Sequence, residues 1–264
     1  MKIVAVANQK GGVGKTTTSV NLAASLAAMG RSVLLVDLDP QGNATMSSGV
    51  DKHNLELTAY DLLVDGAPLK DVVVPAAGNG YSLVGANRDL TAAEVELLNL
   101  ERREHKLANA LAAGFQFDTI IIDCPPSLSM LTVNALIAAH SVIITMQCEY
   151  FALEGLSTLL ATIERVKQAA NPRLEVEGIL RTMYDPRNSL TNEVSAQLHK
   201  HFGDKVYRTV IPRNVRLAEA PSHGLPALHY DRYSAGARAY AALAGEFTKR
   251  QRERSEIEGA QAGD

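Results

Sequence analysis

The sequence predicts a doubly wound α/β domain, a mostly parallel sheet flanked by helices. Three observations carry that prediction. Short apolar runs recur along the chain and are continuous rather than alternating, as strands buried on both faces are. Segments with a period near 3.6 residues separate them, giving the β-α alternation of a parallel sheet. A glycine-rich turn carrying Lys and Thr follows the first run directly and opens the first helical segment.

The apolar runs are Ile3–Ala7, Val33–Val36, Tyr81–Gly85, Thr119–Ile122, Val142–Met146, Val176–Leu180 and Val206–Ile211. Between the first two, Lys15–Met29 reads as a helix. Val20, Ala23, Ala24 and Ala27 share one face, and Leu22, Leu26 and Met29 another. Thr91-Ala92-Ala93-Glu94 reads as a capping box that opens a helix ending near Ala113, before Gly114. Leu153, Leu156, Leu160 and Ile163 line one side of a further helix. A single domain is expected over residues 1–250. Residues 251–264, where Lys, Arg and Glu give way to Gly, Ala and Gln, are expected as a flexible C-terminal tail.

Composition narrows the function classes. Of 264 residues, 46% are hydrophobic and 21% charged, which excludes disorder as the main state. The two cysteines, Cys124 and Cys148, are too few for a disulfide framework or an all-protein zinc cage and fit a reducing compartment. His199 and His201 stand at a poor spacing for ligands on one helix. No window reaches about 18 uninterrupted apolar residues, and the start carries no signal peptide, so a cytoplasmic protein is expected. A formal net charge of −3 does not announce a nucleic-acid binder, so any such contact must come from a local patch.

The segment Gln9-Lys10-Gly11-Gly12-Val13-Gly14-Lys15-Thr16-Thr17 is the decisive one. Its glycines let backbone N–H groups turn inward onto an anion, and the following helix start adds its dipole. Lys15 can reach the β- and γ-phosphates of a nucleotide, and the Thr16 hydroxyl is placed to ligate Mg²⁺. Gln9 stands where the strict Walker A pattern has Gly, and Lys10 is the unusual residue. A dinucleotide fingerprint fits poorly, because Thr17 occupies its third glycine position. Two further segments end apolar runs on carboxylates: Val33-Leu34-Leu35-Val36-Asp37-Leu38-Asp39 and Ile120-Ile121-Ile122-Asp123. The second has the form of a Walker B element, in which Asp123 holds Mg²⁺ through a water. Asp37 reads as a structural partner rather than the reactive group. Either strand-end carboxylate could instead be a simple cap.

These motifs resemble the ParA/Soj family of partitioning ATPases, a branch of the deviant Walker A group that also holds MinD and the nitrogenase iron protein. The resemblance spans residues 1–250. It rests on 10–17, on Asp37-Leu38-Asp39-Pro40-Gln41-Gly42-Asn43 and on Asp123-Cys124-Pro125-Pro126-Ser127. Gln147-Cys148-Glu149-Tyr150-Phe151-Ala152-Leu153-Glu154-Gly155 and the stretch from Ile211 to Gly224 also match.

The resemblance implies an ATP- and Mg²⁺-dependent switch. Lys10 is similar to the signature lysine that reaches the partner subunit's nucleotide in an ATP sandwich dimer. Residues Lys10, Gly11, Gly12, Val13, Gly14, Lys15, Thr16 and Thr17 would hold the phosphates, and Pro212 and Asn214 the adenine. Asp39 would orient the attacking water. Arg187 and Arg216 would hold phosphates of non-specific double-stranded DNA. The implied partners are a second copy of the chain, DNA and a ParB-type centromere-binding protein that stimulates slow hydrolysis, placing the protein on the nucleoid. No helix-turn-helix region precedes the first strand, so operator-specific repression is not expected. Between Lys249 and Ile257 only Ile257 is large and apolar, so membrane anchoring is not expected either. Two alternatives remain open at this point: a positioning ATPase of the same fold acting on a protein array or membrane, and a metabolic P-loop enzyme in which Lys10 is incidental.

Overall fold

A computed structural model describes residues 1–76, 78–112 and 116–261. The chain opens with β1 (Lys2–Ala7), α1 (Lys15–Ala28), β2 (Val33–Asp37), α2 (Asn43–Ser47), α3 (Leu69–Val72), β3 (Val73–Pro75), β4 (Ser82–Val84) and α4 (Leu90–Glu96). It continues through α5 (Lys106–Ala112), β5 (Thr119–Asp123), α6 (Met130–Ala138), β6 (Ser141–Gln147), α7 (Ala152–Ala169) and β7 (Glu175–Tyr184). It closes with α8 (Ser189–Phe202), β8 (Val206–Pro212), α9 (Val215–Glu219), α10 (Ala227–Tyr230) and α11 (Ala235–Gln261). The strands form one sheet in the order β3-β4-β2-β5-β1-β6-β7-β8. Every neighbouring pair is parallel except β3–β4.

Continuous apolar strands follow from helices on both faces. Alternate residues of β1 enter opposite cores: Ile3, Ala5 and Ala7 pack with Leu107, Leu136 and Leu159, whereas Val4 and Val6 pack with Leu22, Leu26 and Phe247. One face is thus covered by α5, α6 and α7, the other by α1 and α11. All seven predicted runs are strands, with ends displaced by a few residues.

Four points of the structure differ from the sequence reading. The short edge strand β3 has no counterpart among the predicted runs. The Thr91 capping box is not formed: Thr91 lies inside α4, and the turn starts earlier, where Asn87 Oδ1 accepts the Asp89 N–H at 3.0 Å. An Asx turn has taken the capping role. The helix also does not run on. The chain becomes extended at Leu100, passes Arg102 in a left-handed conformation (φ 48°) and re-enters helix at Lys106, which lets Leu97 and Leu107 both reach the core. The predicted helix end at Ala113–Gly114 lies outside the described residues. Finally, the stretch expected as a tail after residue 250 is helical as far as Gln261, with Arg254 bonded to Glu177 at 3.1 Å.

Candidate nucleotide site

The phosphate loop leaves the carboxyl end of β1, in the middle of the sheet. Gly12 (φ 72°) and Gly14 (φ 81°) are left-handed, a conformation glycine reaches without a Cβ penalty. Gly14 occupies the N-cap of α1, so the loop's free N–H groups and the helix dipole share one opening. A neighbouring strand fixes the loop: Thr182, near the end of β7, donates its Oγ1 to the Val13 carbonyl at 2.8 Å. Lys15 is buried, and its Nζ donates to the Lys10 carbonyl at 3.1 Å. Burial lowers its pKa, while Asp123, Cys124 and Asp39 oppose that fall.

Three carboxylates gather at adjacent strand ends. Asp123 is fully buried and accepts Thr16 Oγ1 at 2.7 Å and Ser19 Oγ at 2.8 Å. Asp37 lies beside it in the β2–β5 register. Burial raises the pKa of both, and for Asp37 the charge of Asp123 adds to that rise. Asp37 Oδ1 accepts the Asp39 N–H at 3.1 Å, and Oδ2 accepts the Thr45 N–H at 2.8 Å and Thr45 Oγ1 at 2.7 Å. The residue read as structural therefore shapes the turn that presents Asp39. Asp39 in turn accepts the Gln41 N–H at 2.9 Å.

Two clefts meet over the loop. One, of about 510 Å³, is lined by Gly11, Lys15, Thr16, Asp39 and Pro126. The other, of about 430 Å³, is lined by Pro212, Asn214, Thr182 and Tyr240. Gly14, Thr17 and Met183 line both. Met183 is left-handed (φ 49°), uncommon for a residue with a long side chain, and this places it at the junction. Tyr240 reaches the junction from α11, with its hydroxyl 3.0 Å from Thr18 Oγ1 in α1.

The residues fit a purine nucleotide and a divalent cation. Asn214 Oδ1 is buried without a partner, an acceptor that an exocyclic amine would satisfy. Thr16 Oγ1 and the Asp123 carboxylate stand side by side, the hydroxyl–carboxylate pair that Mg²⁺ takes alongside phosphate oxygens. Among the described residues no cluster of three or more His, Cys, Asp or Glu side chains could hold a metal by itself.

Lys10, Arg187 and Arg216 are not brought into these clefts. Lys10 turns away, and its Nζ pairs with Glu149 at 2.6 Å. Arg187 forks onto Asp185, with Nε to Oδ1 at 2.9 Å and Nη2 to Oδ2 at 2.8 Å. Arg216 pairs with Glu219 at 2.8 Å and Asp231 at 3.3 Å. Sequence reasoning missed Ser19, Thr182, Met183 and Tyr240. Ser19, one helical turn after Lys15, was the only one with a local signal.

A glycine-cradled loop at a helix start, a buried Lys, and a Thr–Asp pair at the carboxyl edge of a parallel sheet define the P-loop nucleoside triphosphatases. Residues 1–176 match the AAA domain family. The chain is 50% identical over 257 residues to the chromosome partitioning protein ParA of Caulobacter vibrioides, covering 96% of each chain. It is 54% identical over 246 residues to the sporulation initiation inhibitor protein Soj of Bacillus subtilis, covering 93% of this chain and 97% of that one. Among solved structures it is similar to a cobyrinic acid a,c-diamide synthase of Mycobacterium smegmatis with bound ADP and magnesium. That likeness has a TM-score of 0.81, 40% identity and 93% coverage of both chains. The chain belongs to the ParA/Soj family of chromosome-partitioning ATPases. No helix among the described residues is long and apolar enough to cross a membrane.

Proposed function

We propose that the protein is a Mg²⁺-dependent ATPase that serves as the nucleotide switch of a chromosome- or plasmid-partition system, in the cytoplasm and on the nucleoid. The carrying observation is the position of Lys10. It belongs to the phosphate loop, yet its ammonium lies outside the phosphate cleft, half-exposed on Glu149. A cation placed there is available to a nucleotide held by a second copy of the chain.

Lys15 and the loop N–H groups would bind the β- and γ-phosphates, and Pro212 and Asn214 the adenine. Magnesium, when bound, neutralises phosphate charge; Thr16 Oγ1 and, through a water, Asp123 would hold it. Asp39, which lines the same cleft, would orient the attacking water. Lys10 of each subunit, released from Glu149, compensates the other subunit's nucleotide and makes ATP part of the dimer contact. The dimer holds double-stranded DNA without sequence preference, through phosphate contacts from Arg187 and Arg216 of both subunits. For that, phosphate must replace Asp185, Glu219 and Asp231 as their partners. A ParB-type partner stimulates hydrolysis and opens the dimer.

The test is sizing with ATP and with ADP, followed by a gel shift on unrelated DNA. ATP alone should give dimers, and those dimers should retard any duplex. Dimers that ignore DNA would move the reading to a positioning ATPase with another cargo, and a chain that stays monomeric in ATP would refute the switch.

A further inference from the structure

At the opposite edge of the sheet from the phosphate loop lies a cavity of about 720 Å³, lined by residues of six chain segments. Lys2 opens β1, His140 precedes β6, Arg173 precedes β7, Arg31 follows α1, and Gln251 and Arg254 lie on α11. Asp118 and Glu175 are its carboxylates. Glu177, fully buried beside it, pairs with Lys2 at 3.4 Å and with Arg254 at 3.1 Å. Glu175 also reaches Arg254 at 3.6 Å, and Asp118 accepts the Ser32 N–H at 2.8 Å. Four cationic side chains thus face three carboxylates, whose partners are Lys2, Arg254, the Ser141 hydroxyl and the Ser32 N–H, with Glu177 Oε1 left without one. Arg31 and Arg173 have no carboxylate partner among the described residues.

Two neutral groups add to the donor set. The Nδ1 of His140 accepts the Ile3 N–H at 3.0 Å, so in the neutral ring the proton sits on Nε2. Burial and the neighbouring charges of Lys2, the Met1 ammonium and Arg173 lower the pKa of that ring. Gln251 carries a buried Nε2 with no partner. Two unpaired guanidinium groups, an imidazole N–H and an amide N–H that lacks an acceptor all line one recess.

We propose that this cavity is a second anion site, which takes a dianionic phosphate group of a small molecule between Arg31 and Arg173. It is separate from the nucleotide clefts, and shares no lining residue with them. A recess of about 720 Å³ has the size of a small-molecule pocket.

The test uses the full chain and reads the His140 ring by side-chain nitrogen NMR during titration with inorganic phosphate. The expected result is a saturable shift of His140 Nε2–H that chloride at equal ionic strength does not reproduce. Arg31→Gln/Arg173→Gln, a pair of surface changes that leaves the phosphate loop intact, should weaken it at least about tenfold. A shift that survives the double substitution would show that Arg31 and Arg173 do not hold the phosphate and would overturn the proposal. So would a shift that never saturates, which would mark screening alone. A short DNA duplex forms the other arm. It should leave His140 unmoved, and a duplex that moves it where free phosphate does not would assign the cavity to DNA and refute the small-molecule site.

Discussion

Replacing Glu149 by Gln should tighten the ATP-dependent dimer. Lys10 Nζ lies 2.6 Å from Glu149 Oε2, with the two side chains 53% and 43% exposed. Ion pairs at that exposure are worth about 0.2–1 kcal/mol. If Lys10 must leave Glu149 to reach the partner's nucleotide, each dimer breaks two such pairs, a cost of about 0.4–2 kcal/mol. Glu149→Gln removes that cost in advance, so the dimer dissociation constant should fall by a factor of about 2–30. Sedimentation equilibrium with ATP, in an Asp39→Ala background expected to prevent turnover, measures it. The gain should shrink as salt is added, because screening already weakens the pair in the parent. Glu154→Gln, in the first turn of α7, controls for the loss of one negative charge. An unchanged dimer would show that Lys10 does not move. A weaker one would show that Glu149 itself is part of the closed contact, and either result would refute the reasoning.

Gly11→Val should leave the monomer fold and nucleotide binding near normal, because a Cβ at Gly11 meets nothing within 4 Å, and yet abolish the ATP dimer; light scattering with ATP checks it. Asp39→Ala should lose ATP hydrolysis in a phosphate-release assay and keep both the ATP dimer and its DNA binding. Arg187→Ala and Arg216→Ala, each acting twice in a symmetric dimer, should each lower the slope of log affinity against log salt by about 1.8 on any DNA sequence. An unchanged slope in both would remove these residues from the DNA surface.

What was legible in the sequence follows from where the determining interactions lie. The central strands are buried on both faces, so their own residues are apolar throughout and announce them. The phosphate loop, Thr16 and Asp123 are local patterns tied to a strand end. Other features depend on distant partners. The end of β7 reads as polar, yet Arg181 is buried there because Ser195 and the Tyr207 carbonyl accept from it at 2.8 Å each. Thr182 and Met183 acquire their place in the site from that same strand extension. The β3 strand has three residues and pairs only with β4, too little pattern to read. The capping box expected at Thr91 is absent because Asn87 offers an earlier turn, so that Thr91 lies inside α4. The present partner of Lys10 could not be read at all, since Glu149 lies 139 residues away. For Pro212 and Asn214 the sequence supplied only the family resemblance.

The strand order has a consequence for how stability is distributed. The phosphate loop leaves β1, while Pro212 and Asn214 close the far end of β8, three strands away, about 14 Å across the sheet at about 4.8 Å per strand. The outermost ladder is also the least regular: β7 and β8 pair at Ile179–Val206, Arg181–Val210 and Tyr184–Pro212, with register shifts between. A ligand that occupies both clefts would therefore act as a clasp, tying a loosely laced margin to the rigid centre. Amide hydrogen exchange would register this as unequal protection. Nucleotide should slow exchange in β8 far more than in β5, because local opening of the margin would then require the ligand to let go.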